Sequence, residues 1–188
     1  MSKFDDAVRF ATEAHAGMKR KRGNTPYILH PMEVATIAAT LTEDEDVLCA
    51  AMLHDVVEDT PHSLEELEQA FGPRVRALVA TETENKRPDV PPAETWLIRK
   101  QESIAELRAS ADQAVLILWL SDKLANMRSF ARLHEREGDA MWQAFNQSDP
   151  ALQAWYYREV AQATSSLADT RAWREFTHLL STVFGELM

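Results

Sequence analysis

Val47-Leu48-Cys49-Ala50-Ala51-Met52-Leu53-His54-Asp55-Val56-Val57-Glu58-Asp59-Thr60 joins an apolar run to four ionisable side chains. The run predicts a buried helix from about Glu45 to Glu58. His54 and Asp55 set a nitrogen and an oxygen ligand side by side. Glu58 and Asp59 lie three and four residues beyond Asp55, spacings that share a helix face. Four ionisable groups at the end of a buried helix are costly to desolvate unless something pairs with them. A divalent ion and a water supply that partner. A helix end with surface acids is the plainer reading, and two further stretches weigh against it.

On either side of this run the pattern is helical. Phe4, Val8, Ala11 and His15 predict a first helix from Lys3 to Ala16, stopped by Gly17. Lys19-Arg20-Lys21-Arg22-Gly23-Asn24-Thr25-Pro26 is a basic loop. Pro31 marks the start of a second helix, with Val34, Ile37, Ala38 and Leu41 facing inward. Ser63 and Glu66 form a capping box, Gly72 ends that helix, and Pro73 opens another through about Asn85. Lys86 to Pro92 carries three prolines in its last five positions and reads as a loop. Further helices are expected at Glu94–Arg108, Asp112–Arg132, Pro150–Ala168 and Thr170–Glu186, with His134–Asp139 as a connection. No stretch alternates as a strand does. The expected class is all-α, a compact helical bundle.

Composition narrows the function. The chain has 188 residues, which suits one domain over residues 1–188. The net charge of -10 argues against broad binding to nucleic acid or to an anionic membrane surface. An anionic substrate must therefore meet a local basic patch, and the 19–22 loop is the densest one. The longest apolar stretch, Ala114 to Leu120, is too short to span a bilayer. Cys49 is the single cysteine, which excludes an internal disulfide and fits a reducing compartment. Met1 to Arg9 is charged and polar, unlike a signal peptide, so the expected location is cytoplasmic.

The second stretch is Pro26-Tyr27-Ile28-Leu29-His30-Pro31, where a histidine follows an apolar run. The third is Val115-Leu116-Ile117-Leu118-Trp119-Leu120-Ser121-Asp122-Lys123-Leu124-Ala125-Asn126-Met127-Arg128. Here Asp122 interrupts an apolar helix and needs a cation or several donors. Lys123 is a poor partner for it, because i,i+1 neighbours point apart on a helix. Asn126 lies one turn on and shares its face. His30, His54, Asp55 and Asp122 together suit a borderline divalent metal such as Mn, Fe, Co or Zn. A water bound there gains acidity and becomes a nucleophile near neutral pH.

The order His, His-Asp, Asp resembles the HD-domain phosphohydrolases. The fuller pattern resembles the hydrolase domain of the RelA/SpoT homologues and the stand-alone small alarmone hydrolases. It reads Arg20-Lys21, Gly23, Tyr27-Ile28-Leu29-His30-Pro31, His54-Asp55-Val56-Val57-Glu58-Asp59-Thr60 and Asp122-Lys123-Leu124-Ala125-Asn126. The resemblance spans roughly Phe4 to Leu167. It implies an HD-type fold and a manganese ion on His30, His54, Asp55 and Asp122. It implies Glu58 and Asp59 as the catalytic pair that places and activates the attacking water. It also implies removal of pyrophosphate from the 3′ position of a nucleotide such as (p)ppGpp or (p)ppApp. Arg20 matches a base-packing arginine, Lys21 its neighbour, Asn126 a sugar contact and Tyr156 a nucleotide contact; Lys123 and Arg128 are expected phosphate contacts. Met18 replaces a glutamine of many members, and Asn24-Thr25 lengthens the basic loop by one residue. Alternatives are an HD nucleotidase acting on 5′-phosphates and a catalytically silent nucleotide-binding module. The sequence leaves the oligomeric state open, and assigns no role to Thr83–Arg87 or to Trp96 with Arg99-Lys100-Gln101.

Overall fold

The computed structural model describes residues 2–20 and 23–185. Among the described residues ten α-helices follow in order: α1 Lys3–Ala14, α2 Leu29–Ala38, α3 Glu45–Leu53, α4 Val56–Asp59, α5 Leu64–Phe71, α6 Pro73–Ala80, α7 Pro92–Ala109, α8 Gln113–Glu137, α9 Pro150–Ala163 and α10 Arg171–Phe184. Among the described residues no strand forms; Lys19 and Pro26 make an isolated antiparallel bridge at the neck of the basic loop. The all-α expectation is borne out. Among the described residues no helix is long and apolar enough to cross a membrane.

Local chemistry sets most helix starts. Ser2 and Asp5 close one capping box, Ser63 and Glu66 another. Asp44, Asp112, Asp149 and Thr170 accept from backbone N–H groups at the starts of α3, α8, α9 and α10. Gly72 ends α5 with φ +91°, a conformation that costs a residue with a Cβ.

α8 is the spine. Its first half, Ala114 to Ala125, is buried throughout, and it packs on α2, α3, α9 and α10. Leu118, Leu120, Leu124 and Met127 are fully buried with Met52, Leu53, Phe176 and Leu180. Each such side chain contributes about 1.5–3 kcal/mol of transfer free energy. Asp122 and Lys123 are buried within this apolar wall, so their charges must be met locally.

Several expected boundaries are corrected. The helix expected to run unbroken to Glu58 stops at Leu53, turns at His54-Asp55 and resumes at Val56. Adjacent residues on a regular helix point about 100° apart, and the turn lets both side chains face one centre. The helix from Pro73 ends at Ala80, not Asn85. The Thr81 and Thr83 hydroxyls donate to the Leu78 and Val79 carbonyls, and the chain leaves the helix there. α8 runs on to Glu137, so His134–Glu137 is helix rather than connection, and Gly138 at φ +56° stops it. α9 ends at Ala163, where the Thr164 hydroxyl takes the Val160 carbonyl. α2 starts at Leu29, with Pro31 inside its first turn, where a missing N–H costs no bond. Of the helix expected to Glu186, the last residue lies outside the described residues.

Candidate active site

His30 is carried by the first turn of α2, His54-Asp55 by the turn between α3 and α4, and Asp122 by the middle of α8. They converge. His30 Nε2 lies 3.0 Å from Asp122 Oδ1 and 3.5 Å from Asp55 Oδ2. His54 Nε2 lies 3.1 Å from Asp55 Oδ2 and 3.6 Å from Asp122 Oδ1. His30, His54 and Asp122 can each bring one ligand atom to within 4.8 Å of the others.

These residues fit a divalent metal. His54 Nδ1 lies 2.9 Å from the Ala51 carbonyl, which fixes the tautomer and leaves Nε2 facing the carboxylates. That Nε2 is buried and faces the Asp55 and Asp122 carboxylates at 3.1 and 3.6 Å without an aligned hydrogen bond to either. Two imidazoles and two carboxylates form a borderline donor set whose charge of about −2 offsets a dication. Burial works against charge on His54, but the Asp55 and Asp122 carboxylates overcome it and lift its pKa well above the histidine range. Burial likewise works to raise Asp55 and Asp122. The two histidines, with Lys123 beside Asp122, outweigh it and hold both carboxyls well below their usual range. A dication in that place takes over the proton's role.

Glu58 and Asp59 stand one turn further on in α4. The Tyr27 hydroxyl reaches Asp55 Oδ2 at 2.6 Å and Asp59 Oδ2 at 2.9 Å. Burial and those carboxylates push the phenol far above its ordinary pKa, so it remains a donor. Lys86 Nζ donates to the Glu58 carbonyl at 2.5 Å and to Asp59 Oδ1 at 3.1 Å, and lies 3.5 Å from Glu58 Oε1. Asp59 is thus held at both oxygens. Burial raises the Glu58 carboxyl, and Lys86 partly offsets that rise.

Tyr27, His30, Asp55, Glu58, Asp59 and Asp122 line one cleft of about 690 Å³, a size suited to a small-molecule ligand. Arg20, Lys123, Asn126 and Tyr156 line it as expected. Arg20 donates to Asn126 Oδ1 at 3.1 Å and stands over the Tyr27 ring, and Asn126 donates to Asp122 Oδ1 at 2.8 Å. Lys21 lies outside the described residues. Arg128 is not brought to the cleft. It faces the other side of α8, where it bonds Glu175 at 2.6 Å and Glu33 at 3.2 Å.

The expectation that Lys123 is a poor partner for Asp122 is corrected. Its four-carbon stem bends back, so that Nζ pairs with Asp122 Oδ2 and, at 2.9 Å, with Glu82 Oε2. Glu82 was missed because the chain around it read as helix. It lines the cleft, and burial, only partly offset by Lys123, lifts its carboxyl to about 7. Glu84, Trp96 and Lys100 also line the cleft, so both unassigned stretches belong to it. The available signal was charge packed beside aromatic residues.

The family model described as the HD domain matches residues 7–147. The chain belongs to the HD-domain family. This HD-domain chain is 36% identical over 138 residues to a GTP pyrophosphokinase of Brucella ovis, covering 70% of this chain. It is 38% identical over 123 residues to a guanosine-3′,5′-bis(diphosphate) 3′-pyrophosphohydrolase of Aquifex aeolicus, covering 65%. It spans 17% of the length of each of these relatives. Among solved structures it resembles a metazoan ortholog of SpoT that hydrolyses ppGpp. The TM-score is 0.78 at 26% identity, over 99% of this chain and 98% of that one. The resemblance drawn from the motifs is borne out, as is the HD-type fold.

Proposed function

We propose that this chain is a metal-dependent hydrolase that removes pyrophosphate from the 3′ position of guanosine or adenosine alarmones, (p)ppGpp or (p)ppApp, with manganese as its ion. One observation carries the reading: the histidine–aspartate cradle and the Glu58–Asp59 pair open into a single nucleotide-sized cleft. The printed activities of the Aquifex relative and of the metazoan neighbour support it.

A divalent ion held by His30, His54, Asp55 and Asp122 supplies a Lewis acid and a more acidic water. Glu58 is the proton acceptor in this reading, because its carboxyl is raised and less tied than that of Asp59. Asp59, held by Tyr27 and Lys86, orients. The water oxygen bonds to the phosphorus on the 3′ oxygen, and the bond from phosphorus to that oxygen breaks. The 3′ oxygen takes a proton, leaving a 3′-hydroxyl and free pyrophosphate. Arg20 packs against the base, Asn126 contacts the sugar, Tyr156 contacts the nucleotide and Lys123 meets phosphate. Lys21 keeps its proposed part as the neighbour of Arg20.

We further propose that residues 1–188 work as one HD-type domain; buried residues of helices from α1 to α10 join one core cluster. A buried free thiol, with burial pushing Cys49 up to about 12, supports the cytoplasm as its compartment. The test is incubation with manganese and a nucleotide panel, with products separated by ion exchange. Pyrophosphate plus a nucleotide with a free 3′-hydroxyl is expected. Release of 5′-phosphate, or no turnover, overturns the reading.

A further inference from the structure

Beside the histidine–aspartate centre, one end of the cleft is walled by Glu82, Glu84, Lys100, Lys123 and Tyr156. Tyr156 is only 3% exposed, yet its hydroxyl has no hydrogen-bond partner. A buried hydroxyl is costly to leave unpaired, so it marks a bond that something else completes. The charges of Lys123, Glu82 and Glu84 all act on that hydroxyl, which places it at the charged end of the cleft.

Lys100 is the second element. Its Nζ sits 4.7 Å from the centre of the Tyr156 ring and 2.6 Å from Glu84 Oε1. Glu84 is also bonded by Arg99 and, at 3.3 Å, by Ser103. It is therefore spoken for, and works as an anchor for Lys100. Glu82 is matched by Lys123 at Oε2, and its Oε1 is left without a partner. An ammonium has three protons, so Lys100 keeps donors beyond the one given to Glu84. Both Lys100 and Glu84 stand close enough to Glu58 to act on its carboxyl. The end of the cleft thus adjoins the place of bond cleavage. Its unused groups are the Tyr156 O–H, the Lys100 N–H donors and one acceptor, Glu82 Oε1. Donors beside two lysines outnumber that single acceptor, which suits a tetrahedral oxyanion better than a second cation.

We propose that Lys100 and the Tyr156 hydroxyl seat the outer phosphate of a diphosphate ester, so that the chain selects a pyrophosphoryl over a single phosphoryl group. This rests on the 3′-pyrophosphohydrolase reading. It adds the residues that distinguish that leaving group from phosphate. It also gives the Trp96–Gln101 stretch a role, since Arg99 braces Glu84 and Glu84 aims Lys100.

The probes are inorganic pyrophosphate, orthophosphate and guanosine 5′-diphosphate. Their binding is measured by calorimetry on the chelator-treated chain and again with manganese. The parent should bind pyrophosphate at least about tenfold more tightly than orthophosphate, the worth of one charge-assisted hydrogen bond. Lys100→Met and Tyr156→Phe should each remove most of that preference. In turnover, the kcat/KM ratio of a 3′-diphosphate over a 3′-monophosphate should fall by about the same factor. Tyr156→Phe removes an unpaired hydroxyl and keeps the ring, so its melting temperature should not drop. It decides the matter if Lys100→Met fails to fold. Equal binding of pyrophosphate and orthophosphate by the parent, or an unchanged preference in Tyr156→Phe, overturns the proposal. So does a variant that weakens guanosine 5′-diphosphate but not pyrophosphate, since the seat would then serve the other arm. Intact pyrophosphate preference in a chain that hydrolyses no nucleotide overturns the hydrolase reading instead and leaves the seat standing.

Discussion

Glu58 and Asp59 are neighbours with different surroundings, and in the proposed mechanism that difference divides their work. Asp59 has Tyr27 on one oxygen and Lys86 on the other. Glu58 is half-buried, its carboxyl raised by that burial and restrained by Lys86. Glu58→Gln should lose about two to four orders of magnitude in kcat, the range of a general base, while keeping its metal and fold. Asp59→Asn should lose less. Metal content measured beside turnover in each variant checks this, and parental turnover in both would remove the pair from the mechanism. Lys86→Met gives a pH test. As the proposed base, Glu58 works deprotonated, so activity should be lost as pH falls through its pKa. Without the ammonium that pKa rises further, so the acid limb of the kcat/KM profile should move to higher pH. A limb that stays in place or moves down would show that Lys86 does not act on the base.

The turn between α3 and α4 and the early end of α6 do what unbroken helices could not. The first brings His54 and Asp55 to one centre; the second delivers Glu82 and Glu84 to the cleft. On the far face of α8, Arg128 ties α8 to Glu33 of α2 and Glu175 of α10. Its side chain is about a third exposed, which screens the pairs and trims their worth. Arg128→Ala should therefore cost on the order of 1 kcal/mol in urea unfolding. It should leave KM for the nucleotide within about twofold of the parent, as expected for a residue outside the site. A large rise in KM with unchanged stability would restore Arg128 to the substrate contacts expected from its motif.

Across the molecule, the proposed ligands come from three segments far apart in sequence, so an ion held by them would also hold α2, the α3–α4 turn and α8 together. Manganese at about a hundred times its dissociation constant should stabilise the fold by roughly 2.7 kcal/mol, about 5–10 °C in melting temperature for a chain of this size. Chelator should reverse it, and Asp122→Asn should show neither the gain nor activity. Apparent affinity should fall as pH is lowered, because an ion must displace the proton that Asp55 and Asp122 help His54 to hold. Scanning calorimetry over a manganese and pH series reads both effects, and a melting temperature indifferent to manganese would sink the ligand assignment.

The helices, their caps and the four ligand-type residues were legible in the chain because their signals are local. Period 3.6, Ser63 with Glu66, Gly72 and Pro73 act over one or two turns. His30, His54, Asp55 and Asp122 stood out as polar groups in apolar runs, which burial forbids without a partner. The joining of distant groups was not legible. No spacing rule tells that Lys123 bends back to Asp122 while also meeting Glu82, forty-one positions away. Nor does one tell that Arg128 turns to Glu175, that Lys86 reaches Asp59 from a loop, or that Lys100 reaches the cleft from α7. Those pairings follow from how helices stack and where long side chains find their counter-charges. Packing sets them, and the pattern along the chain carries no record of it.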